Sequence, residues 1–392
     1  MQTKNLLNII GLSLLVLLCQ CQIKPKGSHA KIVEVNGNQV IDCNISEVID
    51  TIDLPLSDIV DKCEMILPET NEVSLFKSVY HIGISENYMA IHSRGRMPIK
   101  LFDRKGKFIR DIGSIGRGPG EFTSLYGIQI DEAANKIYLT PFARAQKLIV
   151  YSLSNEKLPP IPLVYQQSKC KTHVENEVVT VLSMPFKKGD IEPIPIAYQQ
   201  TTTGELIKEL KTPAHLAINP RNEKGQFVGF NSEISSSRND GAHDLFTLTW
   251  EKKGLDTLYH YDTESNKLLP KYVASFTGKK HGSWSRELKN HYWTGIFGKE
   301  YKGAKVIVDK KSLKSDFFRL VNDFHGGFEL RNFYMSNNGM FVATVPAFEI
   351  METLKEVVNN KDLDSKIRKK IIALQKQLTE SSNEVLFIGE MK

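Results

Sequence analysis

From residue 31 onward, short runs of alternating apolar and polar residues are separated by turn signals. KIVEV (31–35) passes through Asn36-Gly37-Asn38 into VIDCNI (40–45), and an Asn-Gly pair between apolar runs is a strong hairpin signal. The segment 52–69, IDLPLSDIVDKCEMILPE, holds small apolar groups bounded by proline, as an edge or closing segment would. SVYHIGIS, YMAIHS, IKLFD and KFIRDIGS follow, then YGIQID, KIYLT and KLIVYSL. These runs are short and rich in β-branched and aromatic residues, as half-buried strands require.

The pattern repeats. NYMAIHS…MPIKLFDRKGKFI and NKIYLTPFARAQKLIVYSLSNEKL share one order of strand, loop, strand, turn and strand, and Asn87 and Asn135 begin the two copies 48 residues apart. A third copy reads LFTLTWEKKGLDTLYHYDTESNKL (245–268). Weaker strand patterns lie at VVTVLSM and PIAYQQ, and NFYMSNNGMFVATVPA forms two strands around Asn338-Gly339. A period of this length marks propeller blades, each a small sheet that buries its faces only by stacking on neighbours.

Only one region changes period. EIMETLKEVVNN (349–360) and SKIRKKIIALQKQL (365–378) are helical, with Ile367, Ile371, Leu374 and Leu378 along one stripe of the second and Asp364 as its N-cap. NEVLFIGEM then reads as one more strand. A strand after a helical insertion predicts a last blade made from both chain ends, which removes the free sheet edge. The expected fold is therefore all-β, a six-bladed β-propeller with a C-terminal helical insertion (349–380) before the closing strand.

The first residues carry targeting chemistry. Lys4 precedes LLNIIGLSLLVLL (6–18), and Cys19 and Cys21 end the run. This stretch is shorter than the roughly 20 apolar residues of a membrane span and suits an export signal. It resembles a bacterial lipoprotein signal, in which the cysteine becomes an acylated N-terminus. Cys21 is the preferred site because Leu18 then stands where a leucine is expected, and Cys19 is the alternative; neither has a small residue just before it. The expected domains are a signal peptide (1–20), a linker with N-terminal strands (21–48) and the propeller (49–392). The expected location is the cell envelope, on the periplasmic or outer-membrane face.

Cys43, Cys63 and Cys170 form no disulfide framework and no CxxC pair. The net charge of +6 is spread along the chain, which argues against a nucleic-acid groove.

The sharpest motif is Gly116-Arg117-Gly118-Pro119-Gly120-Glu121-Phe122. It resembles the GxGPGEF signature of NHL-type propellers, and in its flanking register the chain resembles the six-bladed β-propeller lipoprotein family of Bacteroides-type bacteria. LPLSDIVDKCEMILPETNEVSLFKSVYHIGISENYMAIHS, DTLYHYDTESNKLLPKYVASF and VLFIGEM match further landmarks of that family. The resemblance implies that Glu121 fixes the loop and that Phe122 packs between sheets. Arg117 is a candidate for a ligand-binding rim.

Enzyme signatures are absent from the sequence. The ten histidines include no HExxH, and there is no GxSxG elbow and no phosphate loop. His81, His92, His260 and His325 lie in or near strands where they would converge on a central channel if they pointed inward. The segment 276–303 sets Trp284, Tyr292, Trp293 and Phe297 among Lys, Arg and His. It reads as a loop for carbohydrate or peptide, or as an insertion packed on the ring. The loop 322–332, with His325 and Gly326-Gly327, is a second candidate. The candidate ligand-binding set is Arg117, Trp284, Trp293 and His325, with no metal and no cofactor expected. The leading expectation is a binding or scaffold module for a glycan, peptide or envelope protein. The alternatives are a lyase or glycoside-active enzyme using the channel, and a membrane-attached partner protein docking through helices 349–380.

Overall fold

The fold is described from a computed structural model. It covers residue 27 and residues 29–392, except 94, 188–192, 227–232, 236–237, 240–241, 249–255, 279–280, 299, 302 and 337. The lipoprotein-type signal and both Cys19 and Cys21 lie outside the described residues.

Six antiparallel sheets form a six-bladed propeller. Blades 1, 2 and 3 are each four consecutive strands, spanning Val79–Ile84 to Phe108–Ile112, Leu125–Asp131 to Lys157–Gln167, and Lys171–Glu175 to Leu206–Leu210. The strands after Asn87 and Asn135 occupy the same place in blades 1 and 2, so the 48-residue period is the blade period.

Blade 4 begins at Glu233–Ser235 and runs out through Lys267–Ser275. The N-terminal hairpin Ala30–Val35 and Asn38–Asn44 extends it, adding parallel to that last strand. Blade 5 begins at Gly282–Glu287 and His291–Phe297. The aromatic segment expected to be a loop or insertion is thus largely a regular hairpin, in which the consecutive Tyr292 and Trp293 point to opposite faces and pack in different blade interfaces. Thr51–Pro55 adds parallel to this blade at Ser315–Asn322.

Blade 6 closes the ring. Phe333–Met335, Phe341–Val345 and Val385–Met391 come from the C-terminal part, and Val60–Ile66 supplies the outer strand. Leu386 pairs with Ile66 and Gly389 with Cys63 across that seam.

Six hydrophobic clusters fill the six blade-to-blade interfaces. Ile82, Met89 and Phe102 of blade 1 meet Val342, Leu386 and Ile388 of blade 6. Tyr138, Leu148 and Ile161 of blade 2 meet Val179, Val181 and Tyr198 of blade 3. Polar pins lock neighbours at the same interfaces: Gln129 of blade 2 exchanges two hydrogen bonds with the Val174 backbone of blade 3, at 2.6 and 2.8 Å.

The glycine-rich motif links blades 1 and 2. The Gly118 amide donates to Glu121 Oε2 at 2.7 Å. A Cβ on Gly116 would stand 1.9 Å from the same oxygen, so only glycine admits the carboxylate there. Phe122 is buried between Ile112, Leu125 and Tyr151.

The predicted helices are α1, Ala347–Asn359, and α2, Ser365–Gln375. Asp364 caps α2 by accepting from the Lys366 and Ile367 amides. Ile350, Leu354 and Val357 of α1 and Ile371 of α2 are buried with Phe328 and Phe387 of the ring. Of the predicted stripe, Ile371 and Leu378 are buried against the propeller, while Phe348 and Ile372 of the helices stay exposed. No helix among the described residues is long and apolar enough to cross a membrane.

Gly326 sits where α1 meets blade 5. Its φ is +103°, and a Cβ there would lie 2.3 Å from Val357 Cγ1. The Gly326-Gly327 turn thus admits a helix at close range. Gly326→Ala is expected to destabilise the fold by about 2–4 kcal/mol through backbone strain and overpacking. Denaturant unfolding measures this, and Val357→Ala in the same chain should recover part of the loss.

Candidate functional site

One end strand of every blade faces the propeller axis, and the six together line a cavity of about 200 Å³. Blade 1 supplies Tyr80, His81 and Ile82; blade 2 supplies Tyr126, Gly127 and Ile128. Blade 3 contributes Lys171, blade 4 Glu233 and Ile234, blade 5 Arg286, and blade 6 Tyr334, Met335 and Ser336. Strand alternation explains Arg286: it shares a face with Trp284, whose ring lies 5.7 Å from its guanidinium carbon, while Glu287, next in sequence, points to the opposite face and meets His260 of blade 4.

Part of this lining is internally satisfied. The Tyr126 hydroxyl donates to Glu233 Oε2 at 2.5 Å and accepts from the Ile234 amide at 3.1 Å. Lys169 Nζ reaches Glu233 Oε1 at 2.6 Å. Lys171 Nζ donates to the Tyr126 carbonyl at 2.9 Å and lies 4.0 Å from the Tyr126 ring centre.

The remainder is not. Nε and Nη1 of Arg286, the Tyr334 hydroxyl and Nε2 of His81 are shut off from solvent, and none has a hydrogen-bond partner among the described residues. Such groups carry a desolvation penalty that no described residue offsets. Burial, with Arg286 nearby, lowers the Lys171 ammonium to about 8. Burial also lowers Arg286 to about 10. It holds His81 well below its usual range, with Lys171 and His92 adding to the effect. The axis therefore concentrates cationic and donor groups around a small cavity.

The residues singled out from sequence occupy three other neighbourhoods. Arg117 is exposed on the loop between blades 1 and 2. Trp293 is 2% exposed and stacks on Phe333 at 4.9 Å, with Trp284 edge-on to it at 4.4 Å, inside the interface of blades 5 and 6. His325 packs on Phe387, and its Nδ1 lies 3.1 Å from Asn322 Oδ1. The structure does not bring these residues together. Of the four histidines named for the channel, His81 reaches it and His92 stacks behind it at 5.8 Å. Cys43, Cys63 and Cys170 are unbridged. Sequence reasoning passed over Arg286, Lys171 and Glu233. The available signal was a charged residue in the axial strand of a blade, and Arg286 lay within the segment noted for its aromatics.

The family model described as "Domain of unknown function (DUF4934)" matches residues 39–390. This chain belongs to that family. Its fold is similar to that of a "Putative exported protein" from Bacteroides fragilis NCTC 9343, with a TM-score of 0.57 and 16% identity over 88% of this chain and 98% of that one. More distant are a DUF4221 family member from Bacteroides vulgatus ATCC 8482 (TM-score 0.47, 12% identity, 94% of this chain and 99% of that one) and an auxiliary nutrient binding protein from Bacteroides thetaiotaomicron VPI-5482 (0.40, 10%, 80% and 69%). No curated protein matches the chain. The family match and the first of these structures bear out the resemblance to six-bladed propellers of Bacteroides-type bacteria.

Beside the axis, the DUF4934 chain holds a second polar cluster between blades 4 and 5. Asp244, His260 and Glu287 bring three ligand-type atoms within 4.8 Å of one another. His260 Nε2 closes on both carboxylates, and Lys310 Nζ reaches Glu287 Oε1 at 2.5 Å. These contacts tie the cluster into an ion-pair network in which the His260 ring lies between the two carboxylates. Burial alone would lower His260, but its hydrogen bonds to Asp244 and Glu287 prevail and raise it to about 9. Burial pushes Glu287 up, yet the bonds from His260 and Lys310 outweigh it and hold Glu287 low.

A histidine raised in the folded state stabilises the fold fully below its ordinary value of 6.5, and that stability is lost as pH rises through about 9. Melting temperature should accordingly fall from pH 7 to 10 more steeply in the natural protein than in a His260→Asn variant. His260→Leu, which leaves two buried carboxylates facing each other, should cost about 3–5 kcal/mol by denaturant titration.

Proposed function

We propose that this protein is an exported, lipid-anchored binding propeller of the cell envelope and that it takes a small ligand in the axial cavity. One observation carries the reading: all six blades converge on a cavity beside which buried donors have no partner among the described residues. A purely structural axis would satisfy its polar groups or exclude them. The cavity is concave, partly apolar and supplied with a few convergent polar groups, as small-molecule sites are. An enzyme would need an acid and a base poised on substrate. Among the described residues, the lining offers Glu233, already engaged by Tyr126 and Lys169, and His81, kept neutral by burial.

The anchor rests on the apolar run 6–18 ending at Cys19 and Cys21. In bacteria fed an alkyne fatty acid, the full-length chain should become labelled. Cys21→Ala should abolish the label and Cys19→Ala should leave it; the opposite pattern would move the anchor to Cys19, and an unlabelled chain would refute it.

Ligand binding is testable by thermal shift against sugars, sugar acids, amino acids and short peptides. At least one class should raise the melting temperature and slow amide exchange along Val79–Ile84, Leu125–Asp131 and Gly282–Glu287. Protection confined to the outer loops would refute the axial seat.

A further inference from the structure

We propose that the axial cavity is a seat for a small organic monocarboxylate, with Arg286 as its counter-ion and Tyr334 as a second donor. This deepens the binding reading above and rests on it. Arg286 is the one charged group of the lining without an ion pair or hydrogen bond among the described residues: Glu233 faces Tyr126 and Lys169, and Lys171 is bonded to the Tyr126 carbonyl. Its neighbours behind the wall are aromatic or already committed. Trp284 lies against the guanidinium, and Asp244, close enough to favour its charge, is held by His260. A buried guanidinium whose Nε and Nη1 have no acceptor among the described residues is costly to the empty protein, and an entering carboxylate supplies acceptors and a directly facing charge.

The charge and shape of the walls narrow the ligand. Arg286 and Lys171 are cationic, whereas Glu233 places a carboxylate in the same lining. That balance suits a monoanion and disfavours a phosphate dianion, which would face Glu233 directly. Ile82, Ile128 and Met335 offer apolar contact to the rest of the molecule. Glu233 can also accept from a hydroxyl or amine on the ligand body. The cavity, about 200 Å³, restricts the ligand to small molecules.

The test uses the mature protein and paired probes that differ only in charge: phenylacetate against phenylacetamide and glucuronate against glucuronamide, with inorganic phosphate as a third arm. Calorimetry should show each acid binding at least tenfold more tightly than its amide. Arg286→Gln should remove at least tenfold of the acid affinity while leaving the amide unchanged, and should keep or raise the melting temperature of the empty protein. Tyr334→Phe, which retains all charges, should weaken the acids several-fold without loss of stability, and it keeps the proposal testable if Arg286→Gln fails to fold. Equal binding of acid and amide in the cavity would overturn the anion seat and leave the binding propeller standing. Phosphate bound in preference to the acids would reassign the seat to a phosphate ester. Failure of acids, amides and phosphate alike, with other compounds still protecting the axial strands, would overturn the carboxylate proposal alone; failure of every compound class would overturn both readings.

Discussion

Everything in this molecule depends on a sheet that is apolar on both faces. A four-stranded blade buries one face against each neighbour, and any blade left at an end would expose a whole apolar face. The ring resolves this only if it closes. The seam between Val385–Met391 and Val60–Ile66 turns six stacked sheets into six equivalent interfaces, each with its own apolar cluster. The remaining N-terminal strands strengthen the same solution from outside, by parallel addition to blades 4 and 5.

Closure creates an axis that no single blade owns. Residues in axial strands cannot all pack against a neighbouring blade, so the axis is where a propeller can carry polar chemistry without breaking its core. Two polar systems show the contrast. Between blades 4 and 5, Asp244, His260, Glu287 and Lys310 neutralise one another and act as structural cement. On the axis, Arg286 and Tyr334 keep donors, and His81 a ring nitrogen, that have no partner among the described residues. A fold that completes the first system and leaves the second open bears a stability cost at a place suited to a ligand.

Much of the architecture was legible in the chain. Alternation at period two marked the strands, the 48-residue repeat marked the blades, and the helical stripe through Ile371 marked the insertion before the closing strand. The glycine motif lies between blades 1 and 2, where the Glu121 carboxylate packs against Gly116 and Gly118. The aromatic segment 276–303 was harder. Tryptophan and tyrosine among charged residues carry the same local signature in a binding loop as in a hairpin whose aromatics fill an interface; Trp293 stacked on Phe333 is the second case.

Local sequence determined what each segment is, since strand, turn and helix preferences act over a few residues. It also determined that the ring uses both chain ends, because a lone strand after a helical insertion has no partner nearby. Only the tertiary structure decided which side chains meet at the axis. Successive members of the set Lys171, Glu233, Arg286 and Tyr334 lie 48 to 62 residues apart along the chain, and each is unremarkable where it stands. Their meeting is set by the rotation from blade to blade, a property of the closed ring that no stretch of sequence contains.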